Sequence, residues 1–225
     1  LMALGEELPK QVFGHPWLLF GADKMSKSKG NVIYADDLVR YFGVDAVRFY
    51  LLSEMPYGND GSITYESVIN RFNTDLANNL GNLVSRSIAM TKKYFDGIIP
   101  APCGNEGVDG ELKAVCESSI KDFCNLMDTY HISEAIESVF TMLSRANKYI
   151  DEKTPWILAK DEARKGELAN CMNLLAEALR KIAIMFTSFF VETPEKMFAQ
   201  LGTNENNKAY ATLRENLSAG CNVTK

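Results

Sequence analysis

Long hydrophobic runs are missing from this chain. The longest apolar stretch falls far short of a bilayer span, and the first residues lack the basic-then-apolar pattern of a secretory signal. Cysteine pairs are missing too: the five cysteines (Cys103, Cys116, Cys124, Cys171, Cys221) are scattered, odd in number and never spaced Cys-x-x-Cys. That excludes a disulfide framework and a cysteine zinc site and leaves reduced, mostly structural thiols. An excess of positive charge is also absent. The net charge is -5 and the isoelectric point about 5.2, which excludes a protein coated by nucleic acid but allows a local basic site on an acidic body. No internal repeat or low-complexity segment is present. What remains is ordinary globular material, 225 residues with 46% hydrophobic and 24% charged, enough for one or two cores and most simply cytoplasmic, with no membrane partner.

Taken in order, residues 1–10 read as a short helix and a turn. Gln11 to Phe20 reads as a strand, with Trp17 a core strand residue and Pro16 marking an edge or bulge. Gly21 and Ala22 suit a hairpin turn, with Asn31 to Tyr34 as the returning strand. Asp36 to Phe42 is a helix stopped by Gly43, and Asp45 to Met55 a second one, with Asp45 a plausible N-cap. Pro56, Gly58, Asn59, Asp60 and Gly61 form a turn cluster. Ser62 to Thr64 is a brief strand, and Thr64 caps the long helix after it. Beyond the glycine-rich loop Asp96–Gly110, helices are expected at Glu111–Tyr130 (Tyr130 inward), His131–Asp151 (Ser133 near its cap) and Glu167–Val191. A short helix then runs from Pro194 to Gly202, followed by a weakly helical tail.

The longest periodic segment runs from Tyr65 to Phe95. Tyr65, Val68, Ile69, Phe72, Leu76, Leu80, Leu83, Ser87, Met90 and Tyr94 recur at helical steps. A second row carries Asp75, Asn79, Asn82, Arg86 and Lys93. Asn82 and Arg86 lie one turn apart and point the same way. An amide beside a guanidinium is a compact reader of unpaired base edges; the plainer alternative is the solvated side of an amphipathic helix. Between Asp23 and Asn31 stands Lys24-Met25-Ser26-Lys27-Ser28-Lys29-Gly30, a short loop of ammonium and hydroxyl donors suited to phosphate oxygens, with a glycine that frees it to move. As a bare composition it is equally a solvated turn.

The string Lys24-Met25-Ser26-Lys27-Ser28 resembles the signature loop of class I aminoacyl-tRNA synthetases. With Tyr41-Phe-Gly-Val-Asp-Ala-Val-Arg-Phe-Tyr-Leu-Leu52, Asn73-Thr-Asp-Leu-Ala-Asn-Asn-Leu-Gly-Asn-Leu-Val-Ser-Arg86 and Asp151-Glu-Lys-Thr-Pro-Trp156, it resembles the C-terminal half of the methionyl-tRNA synthetases, over nearly the whole chain and weakening after about Val191. One departure is Tyr34-Ala35, where the family often has Asp-Pro. The resemblance implies a mainly α chain. A remnant of the nucleotide-binding fold with its ATP loop and β-hairpin would occupy 1–34, a small α/β connector 35–64, and an anticodon-binding helix bundle 65–225. It implies ATP, with Mg2+, held by Lys24, Met25, Ser26, Lys27 and Ser28. Lys27 would stabilise charge on the departing pyrophosphate. It also implies methionine tRNA as partner, its CAU anticodon read by Asn82, Arg86 and Trp156. An indole held by Pro155 just past a helix can offer its face to an unstacked base; without the resemblance, a helix-end aromatic folded into the core is the simpler expectation. Lys92, Lys93, Arg145, Lys148 and Lys153 are candidates for phosphate contacts.

The family's His-x-Gly-His-type element is missing. The only histidines are His15 and His131, and His15 stands within a strand pattern. The amino-acid pocket and any zinc insertion are likewise expected outside this chain. The expectation is a fragment whose partner is the N-terminal catalytic half of the same polypeptide, inactive by itself, with the apolar edge Val12–Phe20 left by that half either exposed or re-paired, as with a second copy. A free-standing RNA-binding module and a helical protein-interaction scaffold are the alternatives.

Overall fold

The computed structural model describes residues 1–55, 58–103 and 107–224. Pro56 of the expected turn and Gly104 of the expected loop lie outside them. The chain folds as a helix bundle beside a three-stranded sheet with its own small core.

The sheet has the order β2-β1-β3, with β1 (Leu18–Phe20), β2 (Asp23–Lys24) and β3 (Gly61–Ile63). β1 turns back antiparallel onto β2 and runs parallel to β3. A parallel partner needs a crossover, supplied here by α1 (Ala35–Phe42) and α2 (Val44–Glu54). Leu38, Val47, Tyr50, Ile63 and Val68 close a small core, and Leu18, Met25 and Ile33 pack on it. The residues before and after position 34 therefore share one sheet and one core.

Thr64 caps α3 (Tyr65–Arg71) through a capping box: its hydroxyl accepts the Ser67 N–H at 3.1 Å, and the Ser67 hydroxyl accepts the Thr64 N–H at 3.0 Å. The helix continues through Phe72–Gly81 in π form and resumes as α4 (Asn82–Phe95). α5 (Val108–Asp128), α6 (Ile132–Lys153), the single turn α7 (Pro155–Leu158), α8 (Lys165–Phe186) and α9 (Thr193–Leu201) complete the bundle. α8 is the central helix. From Leu168 to Phe186 it is buried almost all round, which is why its sequence is dense in Leu, Ile, Met and Phe rather than striped. No described helix is long and apolar enough to cross a membrane.

Several expectations are corrected. The strand expected at 11–20 pairs only from Leu18: Pro16 has no N–H to donate, and no neighbouring strand reaches that far. Val12 is 86% and Trp17 66% exposed, so Trp17 is not a core residue; its ring lies under the Lys24 ammonium, 5.1 Å from the centroid. The returning strand is Asp23–Lys24, because the tight turn at Gly21 (φ 59°) brings the chain back at once; Ile33 packs on the small core instead. Asp45 does not cap its own helix. Its carboxylate caps α9, accepting the N–H groups of Val191 (2.7 Å), Glu192 (3.0 Å) and Thr193 (2.6 Å) and the Thr193 hydroxyl. Tyr130 is half exposed, sits at φ 64° and packs its ring on Phe13 rather than inward. Ser133 does lie near the cap of α6, two residues after the N-cap residue His131, where it is buried and donates to Glu134. The third long helix ends at Phe186, and the chain turns before Val191.

Candidate functional site

The loop after β2 is braced from within. Asn31 Oδ1 accepts the Ser26 N–H at 2.8 Å, and Asn31 Nδ2 donates to the Lys24 carbonyl at 3.2 Å. Lys27–Lys29 makes one 3-10 turn closed by Gly30 at φ 69°, and the Ser26 and Ser28 hydroxyls bond each other at 2.8 Å. Met25 turns into the small core as the loop's anchor. Lys27 and Ser28 are exposed. Lys24 rests on Trp17, and Lys29 reaches Asp23 at 3.9 Å. Among the described residues, Lys27 alone of the three loop lysines has neither a carboxylate nor a ring for its ammonium. The arrangement offers one free cation and two hydroxyls on a glycine-hinged turn, a donor set that matches phosphate oxygens.

The second cluster lies where the π segment and α4 meet α6. The π turns break the simple polar row expected from the sequence. Asp75 is drawn to Arg71 at 2.7 Å. Asn79 faces α6, donating to Ser144 Oγ at 3.2 Å while its Oδ1 accepts from Asn147 Nδ2 at 2.7 Å. The next turns present Asn82, which is exposed and without a hydrogen-bond partner among the described residues, and half-buried Arg86. Arg86 donates to Asp151 Oδ1 at 2.8 Å, in the last turn of α6. Thr154 then takes the left-handed conformation at φ 44°, ending α6 and starting α7. Pro155 is buried at the first position of the new turn, and Trp156 emerges 43% exposed. A tryptophan left that open, just past the turn of α6 that holds Arg86, can stack on a flat, hydrogen-bonding ligand such as a base.

The end of α6 is held from below. The buried Asp109 carboxylate in the first turn of α5 accepts from Tyr149 Oη (2.8 Å) and Asn170 Nδ2 (2.7 Å) and pairs with Lys153 Nζ (3.0 Å). Lys153 also reaches Glu167 at 2.8 Å. Burial alone lowers the Lys153 pKa, but hydrogen bonds to Glu167 and Asp109 outweigh it and raise it above the ordinary lysine value. The Lys153 hydrogen bond is in turn the main cause holding Glu167 below the usual carboxylate range. Burial pushes the neighbouring Cys171 thiol up to about 12, so it stays protonated and structural.

Known proteins resemble this chain over most of its length. Residues 1–88 match the family model described as tRNA synthetases class I (M). The methionine–tRNA ligase of Clostridium perfringens is 55% identical over 203 residues, covering 90% of this chain and 32% of that protein. That of Caldanaerobacter subterraneus is 49% identical over 95% of this chain and 34% of that protein. The crystal structure of Mycobacterium tuberculosis methionyl-tRNA synthetase bound by methionyl-adenylate superposes with a TM-score of 0.92 at 34% identity, over 99% of this chain and 44% of that one. The chain belongs to the methionyl-tRNA synthetases. It spans about a third of the length of these curated relatives.

For a member of the synthetase family, three residues stand out to which the sequence pattern assigns no role. Asn31 braces the lysine loop, Asp151 holds Arg86, and Asp109 ties α6 to α8 on either side of the turn that carries Trp156. Asn31 and Asp151 are polar residues within or beside the family strings, the only signal that could have found them. Nothing in the sequence pointed to Asp109. The candidate phosphate contacts are reduced in number. Arg145 is paired with Glu111 and Glu152, Lys148 with Glu152, and Lys153 is buried between Asp109 and Glu167. Of the five candidates, only Lys92 and Lys93 keep their ammonium groups clear of carboxylates among the described residues. Among the described residues no group of three His, Cys, Asp or Glu side chains could hold a metal ion. The loop's donors fit ATP phosphates, but ligands for Mg2+ would have to come from the nucleotide or from elsewhere.

Proposed function

We propose that this chain carries two working parts of an ATP-dependent methionine–tRNA ligase: the loop that holds ATP phosphates during methionine activation, and the bundle face that reads the CAU anticodon of methionine tRNA. In the first part Lys27, with Lys24 and the Ser26 and Ser28 hydroxyls assisting, offsets the charge that develops on the leaving pyrophosphate when the methionine carboxylate attacks the α-phosphorus. Met25 and Asn31 hold the loop's shape. In the second part Asn82 and Arg86 bond the edges of unstacked bases, and Trp156 supplies a stacking face. The amino-acid pocket and the rest of the nucleotide site belong to the remainder of the enzyme, the N-terminal catalytic half.

The observation that carries the reading is the junction of α4 and α6. Arg86 is fixed to the last turn of α6 by Asp151, and the left-handed turn at Thr154 with buried Pro155 leaves Trp156 43% exposed immediately beyond it. The test is binding of an RNA stem-loop bearing CAU to the 225-residue chain. Trp156→Ala is expected to weaken binding by about 1–3 kcal/mol, Arg86→Ala and Asn82→Ala to weaken it as well, and a stem-loop with a swapped anticodon to bind poorly from the outset. Equal binding by all four proteins, or equal binding of both RNAs, would rule the reading out, and no binding of either RNA would favour a helical interaction scaffold.

A further inference from the structure

Trp156 stands on a short excursion of chain between α6 and α8, and one buried cluster grips both ends of it. On the near side Lys153, the last residue of α6, is paired with Asp109 at 3.0 Å and Glu167 at 2.8 Å. On the far side Asn170 of α8 donates to Asp109 Oδ2 at 2.7 Å, and Arg164 donates to Glu167 Oε2 at 2.9 Å. Tyr149, one helical turn before Lys153, donates to Asp109 Oδ1 at 2.8 Å. Asp109 is only 4% exposed, yet three donors from two helices converge on it. Within the excursion the backbone is already committed: Thr154 is left-handed, Pro155 and Leu158 are buried, and Leu158 N–H returns to the Thr154 carbonyl at 3.3 Å.

We infer that Asp109 is a positioning residue for Trp156: by drawing Lys153 and Asn170 onto one carboxylate it fixes the two stems of the turn and holds the indole ready to stack. This rests on the base-stacking role proposed for Trp156. A carboxylate suits the task because it accepts at both oxygens. An asparagine there would set an NH2 against a donor, and Asn170 cannot turn its amide to help without losing the bond its Oδ1 accepts from the Cys103 N–H at 3.2 Å. The cluster touches none of Asn82, Arg86 or Trp156 by a hydrogen bond, so its effect is through geometry.

The chain has two tryptophans, so Trp17→Phe leaves Trp156 as the sole indole fluorophore. In that background Asp109→Asn and Lys153→Met are expected to lower the steady-state anisotropy of Trp156, to raise its quenching by acrylamide and to weaken the CAU stem-loop about tenfold. Lys153→Arg should restore most of both. Asp45→Ala, a destabilising change at a residue with no bond to the Asp109 cluster, should move neither readout while the chain remains folded. If Asp109→Asn does not fold, Tyr149→Phe removes one of the three donors and is expected to shift the same readouts by a smaller amount. Unchanged anisotropy and affinity in the Asp109, Lys153 and Tyr149 variants would overturn the inference, as would an equal shift from Asp45→Ala. If Trp156→Ala leaves RNA binding intact, the stacking role fails by itself, and the anisotropy still decides whether Asp109 positions the indole.

Discussion

Asp45 shows at the level of one side chain how a local rule can be overruled. An aspartate two residues into a helix ordinarily serves its own amides, but this carboxylate accepts three N–H groups and a hydroxyl at the start of α9. Partial burial raises its pKa, the bond from the Thr193 hydroxyl and the bonds from the three amides lower it, and the net result lies below the ordinary 3.8. A depressed folded value means the stabilisation is fully present above 3.8 and is lost as pH falls through the lower folded value. Asp45→Ala is expected to cost about 1–2 kcal/mol at neutral pH, read as a lower urea midpoint. The gap between wild type and Asp45→Asn should close on acidification below that range. A gap that persists in strong acid would show that packing, not charge, is what Asp45 contributes. Trp17 makes the complementary point. An indole in a strand pattern is ordinarily buried, yet here its cover is the Lys24 ammonium and little else.

At the level of elements, the tail is secured by one buried cation. Arg180 of α8 is fully buried; it pairs with Glu177 and donates to the carbonyls of Asn207, Thr212 and Glu215 at 2.9, 3.0 and 2.7 Å. Glu177 uses its other oxygen to accept the N–H groups of Leu217 and Ser218. Gly202 lets the chain pass: a Cβ there would lie 2.1 Å from the Asn222 carbonyl oxygen. Arg180→Met should leave Glu177 buried without its counter-ion and cost about 3–5 kcal/mol. Hydrogen exchange should then quicken first in residues 205–218, and uniform quickening across the bundle would contradict the clamp. None of this was readable from the tail's composition, because in the tail Arg180 meets three backbone carbonyls and one threonine hydroxyl, and carbonyls leave no mark in side-chain pattern. The helices themselves were readable: Gly43, Thr64, Pro194 and Gly202 punctuate them where expected, whereas Asn82, Arg86 and Trp156 were singled out by the family resemblance and not by periodicity. The π segment was not readable, since apolar spacing reports which face is buried and not which carbonyl each N–H reaches. The π turns put Asn79 onto α6 and leave Asn82 exposed beside an Arg86 held by Asp151.

For the molecule as a whole, the charge map sets how binding must respond to salt. The body carries a net charge of -5, and most cations near the proposed RNA face are already spoken for. Arg145, Lys148 and Lys153 are paired with carboxylates of the bundle, leaving Lys92 and Lys93 as the cations clear of them. Affinity for a single-stranded loop falls with salt at a log–log slope of roughly -0.7 for each phosphate neutralised. With about two such contacts the slope should be near about -1.4, so that a roughly threefold rise in salt weakens the CAU stem-loop only about fivefold. Lys92→Ala and Lys93→Ala should each flatten the slope by about half and leave discrimination between anticodons unchanged, because phosphate contacts position the RNA without reading it. Trp156→Ala should do the reverse, lowering affinity at every salt concentration with the slope intact, because stacking releases no counterions. A slope as steep as about -4 in the wild-type chain would mean that about six phosphates are engaged. The ion pairs of Arg145, Lys148 and Lys153 would then have to open on binding, and recognition would rest on charge rather than on the Asn82, Arg86 and Trp156 cluster.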